Sequence, residues 1–146
     1  VQANAAFMEA LRSLGSDLMD HLLTQPVALE QVRSVADTGN PFAQYVMSKI
    51  CMRYGKTGKD AKGKAVDRTK AYVQAVRYVE DAVAADKTNQ EYIKQYCVVY
   101  CQLFQYCRST VIPVTEVCQD SLEVLLSFVN QGLEGCKVLA MPVEDS

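Results

Sequence analysis

Tryptophan is absent from this 146-residue chain, histidine occurs once, and no apolar run approaches the length of a membrane span. A helical crossing needs roughly 18 consecutive apolar residues, so no membrane span is expected. An excess of charge of one sign is lacking too: 15 basic against 17 acidic residues leave a net charge of −2. A nucleic-acid binder carries a basic stripe, and no nucleic-acid partner is expected. A single histidine cannot supply a histidine-rich metal site, and zinc would have to draw on cysteine. That residue, His21, could serve Ser-His-Asp chemistry only with Ser16 and Asp17 or Asp20, but Asp17 and His21 at helical spacing more simply tie one turn. Gly55-Lys56-Thr57-Gly58-Lys59-Asp60 has neither the glycine interval nor the preceding strand of a phosphate loop. Glu80-Asp81 and Asp86 with Glu91 lie on charged helix faces, without the apolar enclosure that general acids require. The chain therefore reads as non-enzymatic, with no cofactor and no metal.

What the chain does contain is helical periodicity and enough apolar residues, 49%, for one continuous core. Phe7, Leu11, Leu14, Leu18 and Leu22 recur at helical spacing and predict a first helix over residues 3–23. Pro26 can open a second, carrying Val27, Leu29, Val32 and Val35, which should stop at Gly39. Asn40-Pro41 makes a cap and first turn for a third helix, whose Phe42, Tyr45, Val46, Lys49 and Ile50 set up its packing and rim. Asp67 can cap a fourth helix bearing Tyr72, Val76, Val79 and Val83, and Thr88 or Asn89 begins a fifth. Pro113 ends that segment, and Thr115 can cap a sixth built on Leu122, Leu125, Leu126, Val129 and Leu133. The expectation is a single all-α domain over 1–146, about six antiparallel helices, with a flexible, glycine-rich loop at 55–66.

Six cysteines, Cys51, Cys97, Cys101, Cys107, Cys118 and Cys136, are many for a cytosolic domain, and their even number is compatible with three disulfides. Cys107 and Cys118 flank Pro113 and are the first choice of pair; Cys136 could meet Cys97 or Cys101, leaving Cys51 for the remaining one. Inert buried thiols are the alternative, and Cys97 with Cys101 could in principle share a metal with two others. Together with the small-x-small Ala3-Asn4-Ala5, the cysteines favour an exported protein, periplasmic or extracellular, over a cytoplasmic one.

Eight tyrosines take the place of tryptophan. Tyr92, Tyr96 and Tyr100 form an i, i+4, i+8 ladder that Tyr106 continues. Exposed, it would bind protein, because tyrosine offers apolar contact and a hydroxyl at low entropic cost; buried, it would fill the space between helices. Lys56 and Lys59, on the adjacent loop, complete the candidate partner-binding set.

The stretch Ala36-Asp37-Thr38-Gly39-Asn40-Pro41-Phe42-Ala43-Gln44-Tyr45 and its continuation Val46 to Gly55 read as a helix, a glycine turn and a second helix docking back. Over residues 36–55 it resembles the Sel1-like helical repeats, relatives of the tetratricopeptide repeats, with alanine before the turn and a tyrosine-glycine pair, Tyr54-Gly55, closing the second helix. That resemblance implies recognition and assembly rather than chemistry, on either a short repeat scaffold or a compact bundle. The expected function is a protein-binding module or inhibitor, for example an exported immunity-type protein, with a protein partner or a second copy of itself as homodimer. The alternative is a small helical carrier, its apolar cavity lined by Leu, Met and Tyr.

Overall fold

The structure is a computed structural model and describes residues 2–110. Among the described residues six α-helices follow one another: α1 (Gln2–Arg12), α2 (Leu18–Thr24), α3 (Pro26–Asp37), α4 (Pro41–Thr57), α5 (Arg68–Ala85) and α6 (Gln90–Thr110). The fold is an all-α bundle of antiparallel helices. Among the described residues the only β feature is an isolated bridge between Lys59 and Ala65. The helix expected from Thr115 onward, and with it Cys118 and Cys136, lies outside the described residues.

Local chemistry explains most boundaries. Asn40 holds an extended backbone and its Oδ1 accepts the Ala43 N–H at 3.0 Å, while Pro41 occupies the first helical position. Asp67 repeats the device at the start of α5, accepting the Lys70 N–H at 3.2 Å. Asn89 Oδ1 accepts from the Glu91 and Tyr92 N–H groups and opens α6. Between α3 and α4 the chain turns in three residues, with Gly39 at φ +102°.

Two expected boundaries are corrected. The first helix is not continuous over 3–23: Gly15 sits at φ +56°, a conformation that only glycine adopts cheaply, and a short 3-10 turn at Gly15–Asp17 separates α1 from α2. The third helix does not stop at Gly55 but runs to Thr57, capped by Gly58, whose N–H donates to the Tyr54 carbonyl at 2.8 Å. The connection that follows, residues 58–67, is tied by its own hydrogen bonds. Asp60 N–H donates to Lys64 O at 2.9 Å, Val66 N–H to Gly58 O at 3.0 Å, and Asp60 Oδ1 accepts from the N–H groups of Lys62 and Lys64.

Helix α4 lies at the centre: it shares its largest interface with α5 and also packs on α3 and α6. Ala43, Val46 and Ile50 of α4, Ala75, Val79 and Ala82 of α5, and Val99, Tyr100 and Leu103 of α6 are all fully buried. Gly55 allows the α4–α5 approach, since a Cβ there would stand 2.8 Å from Cε2 of Tyr72. Leu18 and Leu22 seat α2 against this core, with Leu29, Val32 and Val35 doing the same for α3.

The framework of three disulfides is overturned. Cys51, Cys101 and Cys107 are free thiols, so neither the Cys107–Cys118 staple nor a set of three bridges forms, and no disulfide joins two of the described residues. An even count says nothing about whether Cβ atoms come within bridging distance. Cys51 and Cys107 instead pack as small apolar side chains in the core. No described helix is long and apolar enough to cross a membrane.

Candidate functional site

The break at Gly15 places the end of α1 and the start of α2 beside α4. On α4, Phe42, Tyr45, Lys49 and Met52 recur at intervals of three and four and so share one face. On α6, Glu91, Lys94, Gln95 and Val98 do the same. These faces, with Arg12 and Met19, border two depressions of ≈ 410 and ≈ 510 Å³. Met19, Tyr45, Lys49 and Glu91 belong to both, so the two form one groove.

Its floor is aromatic. The Tyr45 ring lies 6.0 Å from Phe42 and 5.1 Å from Tyr92, centroid to centroid, inside the range of favourable ring contacts. Two cations are held over this floor by the rings: the Arg12 guanidinium is 4.1 Å from the Phe42 centroid, and Lys49 Nζ is 4.9 Å from that of Tyr45. Burial raises the Tyr92 hydroxyl above its ordinary pKa of 10.0, while the charge of Arg12 and a hydrogen bond to it pull the other way. Arg12 also pairs with Glu9 at 3.6 Å, an exposed contact that water screens. Lys94 adds a third positive charge, and Glu91 is the one carboxylate lining the groove. A chain of net charge −2 thus carries a locally basic groove.

The tyrosine ladder lies beneath the surface. Tyr92, Tyr96, Tyr100 and Tyr106 are 4, 1, 0 and 9% exposed, so their rings fill the interior instead of presenting a face. Tyr96 packs on Tyr100 at 4.9 Å, and Tyr106 on Tyr72 at 4.9 Å, where the Tyr106 hydroxyl also shares a 2.7 Å hydrogen bond with Thr69. Only Tyr92 serves the groove, as the backing of Tyr45. Lys56 and Lys59 are exposed but line neither depression. Sequence reasoning did not single out Arg12, Met19 or Gln95. The signal for Tyr45 and Lys49 was present, as rim positions of the third helix.

Nothing in the groove assembles a nucleophile, a base and an oxyanion donor. His21 is exposed on α2 and lines neither depression. Both depressions are open to solvent and rimmed by charge, unlike the enclosed apolar cavity that a carrier of apolar ligands needs.

Several buried groups hold their protons tightly. Burial pushes the Cys51 thiol up to about 12 from an ordinary 9.0, with the Arg33 charge opposing it. Burial also raises the Cys107 thiol and the hydroxyls of Tyr54, Tyr72 and Tyr78. Each group binds its proton more tightly in the folded chain than in the unfolded one. The Cys51 contribution is therefore complete below the unfolded value near 9.0 and is lost as pH rises from there through about 12. The urea midpoint should hold steady up to about pH 9 and fall above it, by an amount on the order of 1 kcal/mol per pH unit from Cys51 alone. Cys51→Ala, although less stable at neutral pH, should show a flatter alkaline slope; an equal slope would remove Cys51 as its source.

No protein-family model, no curated protein and no solved structure matches this chain.

Proposed function

We propose that this protein is a non-enzymatic interaction module that receives a segment of another polypeptide in the groove between α2, α4 and α6. The observation that carries this reading is the groove itself, an aromatic floor with ring-held cations on its rim. Tyrosine, arginine and methionine are the residues that protein interfaces favour, and Arg12, Met19, Tyr45 and Met52 all line it.

Selection of peptides from a random library on the intact chain tests the proposal. Selected peptides should bind, and Tyr45→Ala with Lys49→Ala should weaken them about thirtyfold, the loss of one interface hot spot. Far-UV circular dichroism should show unchanged helix content. Equal affinity for wild type and variant would place the site elsewhere, and a library that yields no binder would sink the module reading.

A further inference from the structure

We infer that the occupant of this groove is an acidic peptide segment, and that the Gln95 side-chain amide receives one of its oxygens. This rests on the interaction-module reading above and adds the chemistry of the partner.

The first support is charge. Arg12, Lys49 and Lys94 face a single carboxylate, Glu91, in a molecule that is negative as a whole. Among the described residues the ion pairs are Arg12 with Glu9 and Arg33 with Glu30, so Lys49 and Lys94 have no carboxylate of their own. Lys49 is steadied by the Tyr45 ring instead, which leaves its ammonium protons directed at no acceptor anion. A segment rich in aspartate or glutamate matches this array, and electrostatic complementarity of this kind chooses among partners and speeds encounter.

The second support is independent of charge. Gln95 lines the groove, is only 6% exposed, and its Nε2 has no hydrogen-bond partner. Buried donors are almost always satisfied, because leaving one unmade forfeits its hydration with nothing in exchange. A carbonyl or carboxylate oxygen of a bound peptide would complete it. Met19 and Met52, unbranched and polarizable, would accommodate varied apolar side chains between the acidic ones.

Nucleic acid fits less well. Glu91 lines the groove along with the cations, and the overall charge is repulsive to a polyanion.

Fluorescence anisotropy on the full chain tests the inference with three labelled probes: a peptide alternating glutamate and leucine, its lysine-and-leucine counterpart, and a single-stranded oligonucleotide. The acidic peptide should bind, more weakly as salt rises. Lys49→Glu with Lys94→Glu should weaken it at least about tenfold, as should the exposed Lys94→Glu alone to a lesser degree. Gln95→Leu should weaken it by about threefold to tenfold while leaving the urea midpoint unchanged or higher, because the leucine removes an unsatisfied donor. A merely structural Gln95 would leave affinity untouched, and that result would overturn its role. Preference for the lysine peptide would overturn the acidic partner while leaving the interaction module standing. Binding of neither peptide, together with an empty library selection, would remove both readings. Oligonucleotide binding that Lys94→Glu abolishes would replace the peptide with nucleic acid.

Discussion

Replacing Tyr96 by alanine should cost about 3–5 kcal/mol, the range for truncating a large buried aromatic ring. Tyr96 is 1% exposed and stacks on Tyr100, itself fully buried, in the middle of α6. Folded domains of ordinary size are stable by only about 5–15 kcal/mol, so this variant should sit close to its unfolding transition at room temperature. Urea denaturation followed by circular dichroism measures the loss directly. Lys59→Ala, on the connection after α4, is the matched control and should stay within about 0.5 kcal/mol of wild type. A loss below about 1 kcal/mol for Tyr96→Ala would contradict burial of the ladder and return it to the surface as a contact face.

The second large effect is expected at Gly55. A Cβ on this residue would lie 2.8 Å from Cε2 and 2.9 Å from Cδ2 of Tyr72. The Tyr72 ring has little room to yield: it is 2% exposed and stacks on Tyr106, while the Arg68 guanidinium covers Tyr106 and its Nε donates to the Gly55 carbonyl at 2.6 Å. Alanine gains about 1 kcal/mol of helix propensity but incurs a steric cost of about 1–3 kcal/mol, so Gly55→Ala should be neutral to moderately destabilising. Valine keeps little of that propensity gain and adds two methyl groups to the clash. Gly55→Val should therefore lose about 3 kcal/mol or more. Combining Gly55→Ala with Tyr72→Leu should give a non-additive result, since the leucine removes the ring that alanine strikes. A Gly55→Ala variant about 1 kcal/mol more stable than wild type would mean that α4 and α5 do not approach as closely as described.

These two residues also show where sequence could and could not lead. Helical periodicity and the Asn40-Pro41 and Asp67 caps made the fold class and the starts of α4 and α5 legible, because both signals are local. Gly55 misled, since glycine usually ends a helix, whereas here its missing Cβ serves contact with a residue on the next helix. Gly15 misled in the opposite sense: the leucine spacing from Leu11 to Leu22 runs through the break, and periodicity does not report a backbone angle. The ladder on α6 lay on one face as its spacing required, but spacing does not say whether a face meets water or another helix. The groove was legible only in part. Phe42, Tyr45 and Lys49 were visible as one face of α4, whereas Arg12 and Gln95 reach the groove through tertiary packing of helices far apart in sequence. The Cys107–Cys118 pairing failed for a related reason, because counting cysteines locates none of them in space.

The packing of Cys51 beneath α5 has a practical corollary. Raising the thiol from 9.0 to about 12 leaves about a thousandfold fewer thiolates at neutral pH than an ordinary cysteine carries, and the thiolate is the species that electrophiles attack. Cys101 is only partly buried, within reach of a reagent in solution. A maleimide added to the native chain would therefore mark Cys101 at once and Cys51 only in those moments when the bundle opens. The slower clock, read by mass spectrometry, counts how often the core comes apart.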